Sequence, residues 1–174
     1  MSEALPLVHL AVPFMWLAVA GLAASVVVHV SSLLGVPQPF GPAAWGLHVG
    51  IFVVWFPAVV VAQRLSKGAK QSDFWKATLR GCPLWVRRTS YVLFAYVFIN
   101  FFAGIASGPD SDIKTFRLFS GHWMLFYFLA AATLYSANKV GSLESRRCLN
   151  GHEVSPFARF CDACGAPLPP LPIP

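Results

Sequence analysis

After Glu3 the chain carries no Asp, Glu, Lys or Arg until Arg64, and this limits its possible folds more than any other feature. A soluble domain keeps charge on its surface, whereas the core of a bilayer excludes it. An uncharged run of this length holds two crossings of about 20 residues each. The break between them is visible in GVPQPFGP, Gly35 to Pro42, where clustered Gly and Pro make a turn between antiparallel helices. The first helix is expected over residues 8–34 and the second over 43–63. With 56% hydrophobic and 11% charged residues, the whole chain belongs to the membrane class. AVA at 18–20 resembles a signal-peptide cleavage site, but the basic n-region is missing and the apolar run is overlong.

Charge returns abruptly in RLSKGAKQSDFWKATLRGCPLWVRR, Arg64 to Arg88, which holds seven of the thirteen Lys and Arg residues. Basic loops stay on the cytoplasmic side during insertion, so this stretch sets the direction of its flanks. Lys67, Lys70, Lys76, Arg80, Arg87 and Arg88 are read as membrane-surface contacts rather than a nucleic-acid footprint. Within it, residues 73–80 predict a short interfacial helix with Phe74, Trp75, Thr78 and Leu79 on one side and Lys76 and Arg80 on the other. A solvated connector is the alternative, because a segment this short is a marginal helix.

A third helix follows over 85–107, with Asn100 as its strongly polar residue. After the polar turn GPDSDIKTFR (108–117), a fourth runs over 118–138. Small residues on the first helix (Ala20 with Ala24, Gly21 with Ser25) and on the fourth (Ala130, Ala131, Ala132, Ser136) offer close-packing faces. Pro57 removes a backbone donor from the second helix and predicts a kink. With the basic loop inside, eleven Lys and Arg lie inside against Lys114 and Arg117 outside. Both termini are therefore expected in the cytoplasm, where the four cysteines also find a reducing compartment. The expected fold class is an all-α integral membrane protein, a four-helix transmembrane bundle over 1–139. A linker (140–147), a small C-terminal metal module (148–168) and a Pro-rich tail (169–174) follow.

The tail CLNGHEVSPFARFCDACGAPL, Cys148 to Leu168, carries the most specific chemistry. Cys161 and Cys164 form a C-x2-C knuckle followed by Gly165, and Cys148 with His152 supplies two further ligands around Gly151. Four soft ligands at this spacing make a closed, structural zinc site with no open position for catalysis. A segment so small lacks a core and needs the ion to fold. It resembles the short zinc-ribbon domains at the ends of many bacterial membrane proteins. Those usually begin with a second C-x2-C knuckle, where this chain has C-x3-H. The resemblance implies docking to a protein or, less often, to nucleic acid.

His29, His48 and His122 are expected at one depth near the outer face, with Asn100 close to the same level. Ionisable groups at membrane depth are functional candidates. Three imidazoles could bind a metal ion, or His48 and His122 could axially ligate a b-type haem. Length, helix count and buried histidines resemble small dihaem b-type cytochromes of membranes. The inner side here has only His9, so at most one haem fits. The competing reading has each histidine bonded to a neighbour such as Ser32, Asn100 or Ser120, or lying in an aromatic belt beside Trp45 and Trp123.

No phosphate loop, nucleophile elbow or paired intramembrane carboxylate is present, so no catalytic residue is assigned. Two functions remain open. One is a non-enzymatic inner-membrane protein that presents a cytoplasmic zinc ribbon to a protein partner, with homo-oligomerisation allowed. The other is a haem- or metal-binding redox protein built on the histidine cluster.

Overall fold

The computed structural model describes residues 5–66, 69–106, 112–140, 146–154 and 160–168. The expected contact of Lys67, the end of the third helix at Ser107, most of the linker, Arg159 and the Pro-rich tail lie outside the described residues, as does the His9 side chain.

Four long helices carry the fold: α1 (Leu5–Leu33), α2 (Gly46–Leu65), α4 (Leu84–Ala106) and α5 (Asp112–Val140). Each is long and apolar enough to cross a membrane. A single 3-10 turn, Gly41–Trp45, leads into α2, and another, Gln71–Asp73, leads into the five-residue α3 (Phe74–Thr78). The molecule is thus all-helical apart from two-residue strands in the tail, β1 (Arg146–Arg147) and β2 (Glu153–Val154). Helix α2 continues through Pro57, and α1 through Pro13.

The fourth expected helix starts at Asp112 rather than 118, taking up half of the predicted polar turn. An acidic residue at a helix N-terminus is favoured by the dipole there, and nothing in DIKTFR stops a helix. Lys114 and Arg117 are therefore helical residues, and His122 lies nearly three turns from the start of its helix.

Helix α5 is the hub. It is the least apolar of the four and the most enclosed, with α1, α2 and α4 packed around it. The physical reason is that lipid tails are as apolar as leucine, so helices associate through close backbone approach and polar contacts rather than through hydrophobic burial. The sequence of α5 suits that role. Phe116, Ser120, Trp123, Tyr127, Ala130, Leu134 and Ala137 recur at alternating three- and four-residue spacing, and all are buried. Helix α1 answers with Ala11, Ala18, Ser25 and Ser32, buried small residues one heptad apart. The expected small-residue face of α1 is therefore the Gly21/Ser25 side, and Ala20 points outward. Opposite Gly21 stands Tyr127, whose ring occupies the space a Cβ would need, and whose hydroxyl donates to Leu47 O at 2.8 Å in α2.

Contacts along the seam show that α1 and α5 are antiparallel. His29 meets Ser120 at one end, and Met15 meets Asn138 at the other. At the Asn138 end, α3 and the turn after it are fixed on α5. Gly81 N–H donates to Ser136 Oγ at 2.9 Å, and the Cys82 thiol donates to Ala132 O at 3.2 Å. The faces of α3 differ from expectation: Ala77, Thr78 and Leu79 are buried, whereas Trp75 is exposed beside Lys76. Docking on α5 takes up the Thr78/Leu79 side and leaves the tryptophan free.

Candidate metal centre and the histidines of the bundle

The tail is folded by two tight turns that each end in a glycine. In the first, Gly151 N–H donates to Cys148 O at 2.9 Å and Cys148 N–H to His152 O at 3.0 Å. In the second, Gly165 N–H donates to Cys161 O at 2.8 Å and Cys161 N–H to Ala166 O at 2.9 Å. Gly151 and Gly165 have φ of 78° and 70°, a left-handed backbone that side chains with a Cβ rarely adopt. The turns are closed by short antiparallel pairings, Arg146 with Val154 and Arg147 with Glu153 in one, Phe160 with Pro167 in the other.

These turns bring the four expected ligands together. Cys148 Sγ lies 3.5 Å from His152 Nδ1 and 3.8 Å from Cys164 Sγ, and Cys161 Sγ lies 3.7 Å from His152 Nδ1. All four ligand atoms fall within 4.8 Å of one another. Histidine thus stands where a second knuckle would place a cysteine, and the cluster could hold a metal ion. Cys148 and Cys161 are buried with Val154 in the small interior of the tail, and Cys164 is exposed. The local field acts differently on the members of the cluster. The Ala166 backbone N–H, then His152 and Asn150, hold the Cys164 thiol down at about 6. His152 is pushed up by hydrogen bonding to Cys164 and Cys148, and burial pushes Cys161 up.

The histidines of the bundle are arranged differently. Among the described residues, His29, His48 and His122 form no shared set of ligand atoms. His29 is buried between three helices. Its Nδ1 pairs with Ser120 Oγ at 2.8 Å, its Nε2 pairs with the Tyr96 hydroxyl, and Ser120 Oγ also lies 3.3 Å from Arg117 O. Beside it, Asn100 receives Arg117 Nε at 3.3 Å and donates to Arg117 O at 3.1 Å. Gly121 makes room for this knot, since a Cβ there would lie 3.0 Å from Asn100 Nδ2.

His48 accepts a hydrogen bond from Trp123 Nε1 at 3.0 Å on its Nδ1. Indole nitrogen only donates, so Nδ1 is bare and the ring proton of neutral His48 is on Nε2. A metal-bound imidazole is the reverse, with a bare ligating nitrogen and the other N–H donated outward. In this arrangement His48 is an acceptor, which runs against its pairing with His122 as an axial ligand. His122 Nδ1 is 3.1 Å from Leu118 O in its own helix, with the ring edge-on to Phe101 at 5.1 Å. Trp123 is buried core rather than aromatic belt, in a cluster of rings with Trp45, Phe116 and His48.

The composition and motifs left Tyr96 and Gly121 unmarked. Tyr96 lies one turn before Asn100 on α4, and that spacing of two polar residues on an apolar helix was its available signal. Leu149 and Phe160 carry no marking motif either, and both stand outside the small interior of the tail. Comparison with protein-family models, curated proteins and solved structures returned no match.

Proposed function

We propose that this chain is a non-enzymatic protein of a bacterial inner membrane, whose four helices anchor a zinc ribbon that docks a protein partner in the cytoplasm. The observation that carries the reading is the surface of the ribbon. Leu149 is 93% exposed and Phe160 60%, although the module has a small interior of its own formed by Cys148, Val154 and Cys161. Large apolar side chains left exposed by a module that has an interior of its own support a docking role.

Zinc is the ion the ligand set suits. Tetrahedral bonds of ~2.3 Å to sulfur and ~2.0 Å to nitrogen place sulfur pairs about 3.8 Å apart and sulfur–nitrogen pairs about 3.5 Å apart. The separations of 3.8, 3.5 and 3.7 Å in the tail match that size. Four protein ligands leave no position for substrate, so the ion's part is to hold the fold. The inside count of Lys and Arg supports the orientation.

Two measurements test this, the first on protein purified in mild detergent and the second in cells. Elemental analysis should give one zinc per chain, lost in Cys161→Ser. A photo-crosslinking residue at position 149 should capture a discrete partner in cells, and Phe160→Ala should abolish that product while retaining zinc. A zinc-free wild-type chain, or crosslinks only to lipid, would end the proposal.

A further inference from the structure

The net charge of the whole chain, +6, is concentrated in one stretch: Arg64–Arg88 holds seven basic residues against Asp73 as its one acid, and the remainder of the chain is balanced. Even Asp73 is taken, by Lys76 Nζ at 3.0 Å. The described part of this stretch is a held scaffold rather than a loose connector. Leu79, Cys82 and Val86 pack against Ala132, and Gly81 is so close to α5 that a Cβ would lie 2.6 Å from Ser136 O. The Arg87 guanidinium donates to Cys82 O at 3.3 Å and to Arg80 O at 3.4 Å, which uses two of its five N–H groups.

The level of this scaffold is set by the helices around it. Hydrophobic span α2 ends at Leu65 and α4 begins at Leu84. Lys70, Lys76 and Arg88 are exposed there, interleaved with exposed Trp75 and Trp85, the latter at 64%. Indole rings prefer the boundary between headgroups and hydrocarbon, and cations placed just beyond that boundary meet phosphates. A soluble acidic partner would account for the cations but not for two tryptophans at the rim of the apolar spans.

We propose that this end of the bundle is a docking surface for anionic phospholipid headgroups, with Lys70, Lys76, Arg87 and Arg88 facing the phosphates and Trp75 and Trp85 seated at the hydrocarbon boundary. The inference is independent of the zinc reading and holds for a metal-free tail.

Native mass spectrometry of the full chain with equimolar phosphatidylglycerol and phosphatidylcholine of identical acyl chains tests it. Phosphatidylglycerol adducts should dominate, and the preference should shrink as ionic strength rises. Lys70→Gln/Arg88→Gln should reduce it by about fivefold per charge, the ratio that about 1 kcal/mol per basic residue at a lipid surface corresponds to. Both side chains are exposed, and an unchanged helical circular dichroism spectrum verifies the fold of the variant. Lys114→Gln, at the other end of the bundle, should leave the preference as it is. Equal adducts of the two lipids, a preference untouched by the double substitution, or displacement of the lipid by inorganic phosphate would each overturn the proposal.

Discussion

At the four candidate ligands of the tail, protons and a metal ion would compete for the same lone pairs. Burial raises Cys161, and hydrogen bonding to Cys164 and Cys148 raises His152, so both hold protons that an ion must displace. Metal affinity should therefore increase with pH across the neutral range, with proton release on binding measurable in weak buffer. Cys164 works in the opposite sense: its folded-state value of about 6 lies below the ordinary thiol value. The stabilisation it brings is complete only above the ordinary thiol value of 9.0, declines as pH falls and is gone below about 6, so metal retention against a chelator should fall across that window. Cys82 is the contrasting thiol, pushed by burial up to about 11. In metal-stripped protein at pH 7, maleimide labelling followed by peptide mapping should modify the tail cysteines Cys148, Cys161 and Cys164 first and spare Cys82 until the helices unfold. His29 supplies the residue-scale prediction for the bundle. His29→Phe leaves Ser120 and Tyr96 without their partner and should cost about 1–3 kcal/mol, read by unfolding in detergent, while loss of the metal in the same variant is not expected.

Among the elements, α3 and the turn after it depend on glycine at position 81. Gly81→Val would push against the Ser136 backbone of α5, which has no side chain to swing aside, and should release the turn at a cost of roughly 1–3 kcal/mol. Proteolysis between α2 and α4 should become faster in that variant, with α1 and α5 still paired. This contact was not readable from the residues alone. A glycine before Cys82 and Pro83 looks like a helix stop, and only the position of Ser136 one chain segment away makes it a packing requirement. That α1 carries small residues four apart was legible, because their spacing is a local property of the sequence, whereas the buried heptad Ala11, Ala18, Ser25 and Ser32 emerged only from the packing. Which of the two candidate faces meets α5 was not, since Ala20/Ala24 and Gly21/Ser25 are equally small and Tyr127 decides between them.

Over the whole molecule, bundle and metal tail are expected to fail separately. Chelation should unfold residues 148–168, as seen by proteolysis, and leave the thermal unfolding of the helices within about 1 kcal/mol of the untreated protein. Loss of both together would show that the tail is part of the helical core. Orientation is a second whole-molecule prediction. Membrane-impermeant labelling of single cysteines at position 75 and in the tail should fail in intact cells and succeed after permeabilisation.

Four apolar spans and the Cys148, His152, Cys161 and Cys164 cluster that could hold a metal were legible in the sequence by itself, because length, apolarity and spacing are properties of neighbouring residues. Tertiary structure alone decided that α5 is the hub, that His29 is joined to Tyr96, and that His48 accepts from Trp123. Those outcomes depend on which helix faces meet. In a bilayer every face is nearly equally apolar, so close approach at a few small residues settles the choice, and hydrophobicity does not.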